Sequence, residues 1–267
     1  MFGEMIAMKQ LIRLTVLFCT CAALTLTAVA GPEPLGGGKE MKQVAPAPLP
    51  ECNWTGFYIG LNVGGQFGHS EDLDLDDYNF QGQLWGYHES GVIAGGQVGY
   101  NWQWRWLVLG VEGDAGYVNL DGRAVQPAAR TSNDDTVGST DSDFYTTIRG
   151  RLGVAFNSWL IFGTGGAIGV NYEQRLRDDC DDLSVGCGLG LIDARKYDFD
   201  WGYTVGGGVE KMIGCHWSIK SEYLYYSLDT RTFSGVETGP VPAFGDRFRF
   251  RGETTGHIIR AGLNYKF

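Results

Sequence analysis

Eight charged side chains lie inside stretches that otherwise alternate apolar with small or polar residues: Glu112, Asp114, Arg149, Arg151, Glu210, Lys220, Glu222 and Arg260. Four are acids and four are bases. A spacing of two, as in Glu112 and Asp114 or Arg149 and Arg151, places both side chains on one face of an extended strand. Charges taken out of water need partners, so the set reads as a network of ion pairs between neighbouring strands. The alternative chemistry is an ion path lined by the same groups.

Two acidic runs follow a different pattern: Asp72, Asp74, Asp76 and Asp77, and Asp178, Asp179, Asp181 and Asp182 around Cys180. Clustered carboxylates suit hard divalent cations, but neither run has the ligand spacing and glycine of an EF-hand loop. They read as solvated acidic surface, with divalent bridging to lipopolysaccharide as a softer form of the same idea. A hydrolytic centre would need a histidine beside a nucleophile or carboxylate. His69 and His88 fall in one connection, His257 opens the last strand and His216 lies in a turn at the opposite end; nothing in their spacing ties them to Ser90 or Asp246. We therefore expect no catalytic residue, no cofactor site, no metal site and no enzyme activity.

The elements that position these groups begin after residue 52. Lys9 and Arg13 precede an uncharged, mostly apolar run from Leu14 to Val29 that closes on Ala28-Val29-Ala30. That order is a secretory signal peptide over residues 1–30. The run is short of the ~20 residues a spanning helix needs. A lipoprotein reading through Cys19 or Cys21 is poorly served by the residues before each, Phe18 and Thr20 among them. Residues 31–52, with Pro32, Pro34, Gly36 to Gly38, Pro46, Pro48 and Pro50, resist helix and ladder alike and read as an extended linker on the periplasmic side. Without residues 1–30 the 21 bases become 19 and the 31 acids become 30, a net −11 that argues against a nucleic-acid partner.

From residue 53 to 267 a period of two recurs eight times. Phe57, Ile59, Leu61 and Val63 share one parity; so do Val92, Ala94, Val98, Tyr100 and Trp102; then Leu107, Leu109, Val111, Ala115 and Tyr117; then Phe144, Ile148, Leu152, Val154 and Phe156. A fifth run aligns Leu160, Phe162, Ile168, Val170 and Tyr172 against Gly163, Gly165, Ala167 and Gly169. A sixth sets Phe199, Trp201, Tyr203, Val205 and Val209 against Thr204 and Glu210. The seventh sets Trp217, Ile219, Tyr223 and Tyr225 against Lys220 and Glu222, with Leu224 as an exception. The eighth sets Ile259, Ala261, Leu263, Tyr265 and Phe267 against Arg260, Asn264 and Lys266. Connections alternate between tiny (103–105, 157–158, 213–216) and large polar loops (68–90, 118–142, 174–197, 229–253). Short turns on one side and long loops on the other are the pattern of a membrane-spanning barrel. The fold expected is all-β: an eight-stranded antiparallel up-and-down transmembrane barrel with both termini periplasmic.

Alternation alone does not say which face meets lipid, and a soluble lipocalin-like barrel has the opposite arrangement. Aromatics of the apolar parity gather at strand ends: Trp102, Phe156, Trp159, Trp217 and Phe267 at the turn end, Tyr117, Phe144, Tyr172, Trp201 and Tyr225 at the loop end. Two girdles around an aliphatic band indicate lipid outside.

Three segments carry a family resemblance: Asn53-Trp54-Thr55-Gly56-Phe57-Tyr58-Ile59-Gly60, Glu222-Tyr223-Leu224-Tyr225-Tyr226, and the closing Ile259-Arg260-Ala261-Gly262-Leu263-Asn264-Tyr265-Lys266-Phe267. The chain resembles the outer-membrane immunogenic proteins, small porin-family barrels similar to the OmpA transmembrane domain, over about residues 53–267. The resemblance implies insertion by the outer-membrane assembly machinery, for which Phe267 matches the C-terminal aromatic signal. The four cysteines beyond residue 30 and the acidic loops depart from the family pattern.

Eight strands place Cys180 and Cys187 together in the third outer loop, and Cys52 and Cys215 on the periplasmic side. A bond between the two sets would cross the membrane, beyond the reach of a disulfide. Cys180 is therefore expected to pair with Cys187. Cys52 pairs with Cys215 if the linker has slack enough, and otherwise both stay reduced or link neighbouring molecules. The expected location is the outer membrane of a Gram-negative cell, with lipid and lipopolysaccharide as partners. The expected role is envelope structure and surface interaction, with a small-solute channel or ligand binding through the outer loops as alternatives.

Overall fold

A computed structural model describes residues 52–76, 84–125, 136–179, 191–236 and 246–267. Nine strands make up its regular structure: β1 (Gly56–Asp74), β2 (Leu84–Trp104), β3 (Leu107–Val125), β4 (Thr136–Phe156), β5 (Trp159–Asp179), β6 (Leu191–Ile213), β7 (Trp217–Leu228), β8 (Arg231–Val236) and β9 (Arg247–Lys266). Each of β1 to β6 pairs antiparallel with the next in sequence, β6 pairs with β7, and β9 lies between β7 and β1. β7 and β8 are two parts of one stave, both paired to β9, so eight staves form a closed ring.

A row of paired residues followed round the ring leaves β6 at Tyr203 and returns to it at Ile213, a shear of ten residues. With a rise of about 3.3 Å and a strand spacing of about 4.8 Å, that shear gives a tilt of about 40° and a backbone radius of about 8 Å. A ring this narrow is filled by its own side chains. The tight turns use left-handed backbone at Arg105 (φ 57°), Asn157 (φ 52°) and Gly214 (φ 67°), the twist that two- and three-residue hairpins require.

The apolar band faces outward over most of the ring. Leu61, Val92, Leu109, Ile148, Leu152 and Ile259 are exposed, and Trp102, Phe156, Trp217, Tyr117, Phe144 and Trp201 border the band as exposed aromatics. β5 reverses the expectation: Leu160, Phe162, Ile168, Val170 and Tyr172 are each 5 % exposed or less and point into the lumen, while Gly163, Gly165 and Ala167 face out. Tyr172 thus belongs to the interior and not to the outer girdle. The reason is that the lumen itself has apolar layers, so an apolar parity can serve either face.

The long connections are also shorter than expected. β2, β4 and β5 have 21 residues each and β6 has 23, against the ~10 that cross a bilayer at this tilt. Ladder pairing continues outward to Leu73↔Leu84, Val125↔Val137 and Asp179↔Leu191. Much of what reads as polar loop is therefore barrel wall, standing roughly 25 Å beyond the outer girdle for about ten extra residues per strand. Sequence reasoning missed this because the alternation of charged with polar residues in the wall carries no apolar signal.

A closed ladder has no edge from which to unravel. Detergent-solubilised protein should therefore migrate faster unboiled than boiled in gel electrophoresis; identical migration of the two samples would contradict closure.

Candidate functional site

The lumen is stacked in layers. At the turn end Trp54, Val108, Leu160, Phe162 and Met212 form an apolar floor. Above it lies the charged layer, then a second apolar layer with Ile93, Ile168, Leu224, Ile258 and the tyrosines Tyr145, Tyr172 and Tyr226. Leu176, Ala194, Phe233 and Phe250 close the interior of the outer wall.

All eight charges of the sequence-derived set point into the middle of the barrel, with side chains no more than 3 % exposed. Inner parity on strands β3, β4, β6, β7 and β9 brings them together. Arg149 bridges three acids: Glu112 at 2.5 Å, Asp114 at 2.7 Å and Glu222 at 2.8 Å. Arg260 joins Asp114 at 2.9 Å and Glu222 at 2.7 Å. Lys220 Nζ donates to both oxygens of Glu112 at 2.9 Å. Arg151 reaches Glu210 at 2.6 Å, and its guanidinium lies 4.0 Å from the centre of the Phe162 ring.

Neutral groups complete the layer. Tyr58 donates to Glu112 at 2.7 Å, while Ser218 and Asn264 donate to Glu210 at 2.5 and 2.7 Å. Gln97 donates to Asn264, Asn62 to Gln97, and Tyr145 to Asn62. These residues were not singled out from sequence; their inner parity alongside the charges was the available signal. A glycine opposite Arg149 is a further part of the arrangement. A Cβ on Gly166 would sit 2.0 Å from the Ile148 carbonyl oxygen, so only glycine permits this close approach.

The two ends differ. On the turn side Cys52 is bonded to Cys215, with 4.9 Å between their Cα atoms. The bond holds the segment in which Trp54 donates its backbone N–H to Gln103, Thr55 accepts from the Gln103 amide, and Asn53 accepts from Lys266 Nζ. A cavity of about 10 Å³ remains near Trp54, Tyr58, Glu210 and Met212, the size that holds one water. Phe267 ends the chain beside Phe57, to whose carbonyl it donates at 3.0 Å, and its side chain stays exposed. Cys180 and Cys187 lie outside the described residues.

On the outer side Asp72 and Asp74 are 1 % exposed, not solvated surface, because β1 runs past the membrane and its alternate residues turn inward. Asp72 accepts from Gln174 at 2.5 Å. Asp76 stays on the exterior and is clamped by Arg249 at 2.7 Å, a bond that holds its carboxyl below the ordinary 3.8. That contribution is present above this range and is lost as pH falls through it. Asp77, Asp181 and Asp182 are outside the described residues, as are the side chains of Asp178 and Asp179. Of the histidines, His69 contacts Glu71 at 3.2 Å and its ring centre is 4.8 Å from that of His88, His257 bonds Tyr223, and His216 stacks on Tyr265. No hydrogen bond joins any of them to a serine among the described residues; Ser90 lies two residues from His88 on the outward side of β2, and Asp246 just before β9.

An eight-stave antiparallel ring with an aliphatic waist, two aromatic borders and its charges turned inward is an integral membrane β-barrel of the outer-membrane kind. The family model described as the outer membrane protein beta-barrel domain matches residues 42–267, and the chain belongs to that family. It is 33% identical to the 31 kDa outer-membrane immunogenic protein of Brucella melitensis over 229 residues, 83% of this chain and 87% of that protein. It is 32% identical to the 22 kDa outer membrane protein of Rhizobium leguminosarum bv. viciae over 199 residues, 69% of this chain and 72% of that one. Among solved structures, the outer membrane protein OprG of Pseudomonas aeruginosa matches with a TM-score of 0.50 at 13% identity, covering 81% of this chain and 98% of that chain. The fold is thus shared with outer-membrane barrels, and the location is the outer membrane.

Two substitutions test the interior. Lys220→Met should lower stability by about 3 to 5 kcal/mol, because it leaves Glu112 in surplus of buried negative charge. Adding Glu112→Gln in the same chain should recover part of the loss, read as the shift in urea midpoint. Cys52→Ser should cost about 3 to 5 kcal/mol, given a closed loop of 163 residues, and a reductant should cost the parent that much more than it costs the variant, which keeps the expected Cys180–Cys187 pair.

Proposed function

We propose that the protein is a non-conducting envelope scaffold: its barrel anchors in the outer membrane and holds a rigid β wall above it for surface contacts. The observation that carries this reading is the filled lumen. From Trp54 to Phe250 the inward side chains interlock, and the central charges are consumed by one another. A path for ions would require Arg149 to leave Glu112, Asp114 and Glu222 together, three carboxylates whose side chains are fully buried. The alternative role, slow passage of small solutes, is favoured by the charge of the lumen, against which stand the buried layers of described residues that fill it.

The outer wall supports surface contact. It is laced on its exterior by Arg175–Asp193 at 2.6 Å, Arg195–Glu173 at 2.6 Å and Arg249–Asp76, which tie neighbouring strands and limit their motion. The strand ends of such a wall stand at fixed spacing, a rigid scaffold of the kind on which binding residues are carried. Segment 1–30 as a cleaved signal, 31–52 as a periplasmic linker and Phe267 as an assembly signal fit the same reading.

Planar-bilayer recording tests it. Purified protein should insert without discrete openings under conditions where a water-filled porin conducts; reproducible single-channel steps abolished by reversing the charge of Lys220 would establish the channel instead.

A further inference from the structure

At the height of the outer girdle, on the exterior of β3 to β6, lies a cavity of about 190 Å³ lined by Tyr117, Asn119, Asp141, Asp143, Asn171 and Tyr197, with Ser142 and Glu173 completing it. It exists because β4 carries a bulge between Ser142 and Phe144, which breaks the pleat against both β3 and β5. Its place is fixed by its neighbours. Phe144 and Phe199 mark the upper edge of the apolar band, and the charged wall with Glu173 and Arg195 begins above them. The cavity therefore opens at the polar face of the outer leaflet.

We infer that this cavity is a binding site for an uncharged pyranose ring. Its volume is more than ten times the ~10–15 Å³ that one water needs, room for a ring-sized solute. Tyr117 and Tyr197 are 56 % and 67 % exposed and offer ring faces, whose negative quadrupole attracts the C–H side of a sugar. The polar groups are already arranged. Asn171 Nδ2 donates to Asp143 Oδ1 at 2.8 Å and to the Tyr197 hydroxyl at 2.6 Å, joining β4, β5 and β6. The Tyr197 hydroxyl accepts this bond and so keeps its own proton to donate. Asp143 keeps its Oδ2 and Asn171 its one side-chain oxygen, Oδ1, as acceptors, which leaves donors and acceptors side by side, as vicinal hydroxyls require. Ser142, 8 % exposed, also lines the cavity, and its buried hydroxyl has no hydrogen-bond partner among the described residues.

Charge selects among ligands. Three carboxylates, Asp141, Asp143 and Glu173, line the cavity and no basic side chain is part of its described lining, so a phosphate or carboxylate is disfavoured while a neutral hydroxyl gains charge-assisted bonds. The sugar reaches the site either as the headgroup of a glycolipid in the same leaflet or as a soluble glycan. The proposal rests on the membrane placement given above and is independent of whether the barrel conducts.

The test uses the full chain in nanodiscs of phosphatidylcholine, with no sugar-based detergent. One arm titrates methyl glucoside and methyl galactoside; the other adds a galactosyl diacylglycerol to the bilayer. Saturable change in tyrosine fluorescence is expected in at least one arm, weakened at least tenfold by Tyr197→Ala or Asn171→Ala and unchanged by Arg247→Ala, with all variants still heat-modifiable. Response to the lipid alone assigns the glycolipid, and response to free sugar assigns the soluble source. No saturable response, a response indifferent to Tyr197 and Asn171, or one abolished by a chelator overturns the proposal, the last by assigning the site to a cation.

Discussion

Between the two aromatic borders no water is available to a backbone amide, so every N–H and C=O there must find its partner in the next strand. One unpaired stave would leave a row of such groups in hydrocarbon. The seam between β1 and β9, paired from Tyr58↔Lys266 to Asp74↔Phe250, is therefore the condition for all the rest. Closure with eight staves and a shear of ten sets the radius, and the radius decides what the lumen can contain. At about 8 Å to the backbone, opposite walls meet through their side chains.

Once closed, the ring leaves its charges no exit. Four acids and four bases with side chains 0–3 % exposed are stable only as a set, since any one removed leaves its partners buried and uncompensated. Such a layer adds little net energy over an apolar filling of the same volume. What it adds is register. Arg149 reaches acids on β3 and β7 at once, and a slip of one residue in either strand would turn those acids into lipid. The polar layer thus holds the strand alignment that the apolar layers above and below would tolerate losing.

The staves, their order, the tight turns and the inward charges are legible in the sequence because period-two patterning and the cost of a charge in lipid are local rules. The face of β5 is not. Its Leu160, Phe162 and Ile168 read as a lipid face, yet they fill the apolar layers of the lumen, while glycines take the lipid side and the Phe199 ring lies over Gly169, where a Cβ would fall 2.4 Å from a ring carbon. Burial inside and burial in lipid make the same demand on a side chain. Likewise Asp72 and Asp74 read as surface because sequence shows acids but not that β1 continues past the membrane. The sugar-sized cavity was equally hidden, since it depends on a bulge at Ser142 to Phe144 that no residue type announces.

The link between Cys52 and Cys215 is intelligible only from closure. In an unrolled sheet β1 and β7 are six strand spacings apart, roughly 29 Å at about 4.8 Å each. In the ring β9 alone separates them, and the two Cα atoms stand 4.9 Å apart across its end. Reach alone makes the bond a consequence of the closed seam, since an open sheet holds the two thiols out of range. Having formed, it ties together the staves on either side of β9 at the turn end, where the β7 ladder stops at Trp217↔Tyr265 and the β1 ladder at Tyr58↔Lys266. The covalent link therefore clamps both flanks of the C-terminal strand where their ladders end, and it holds the segment that carries Trp54 into the floor, so that the closing of the ring and the sealing of its lumen are secured by one bond.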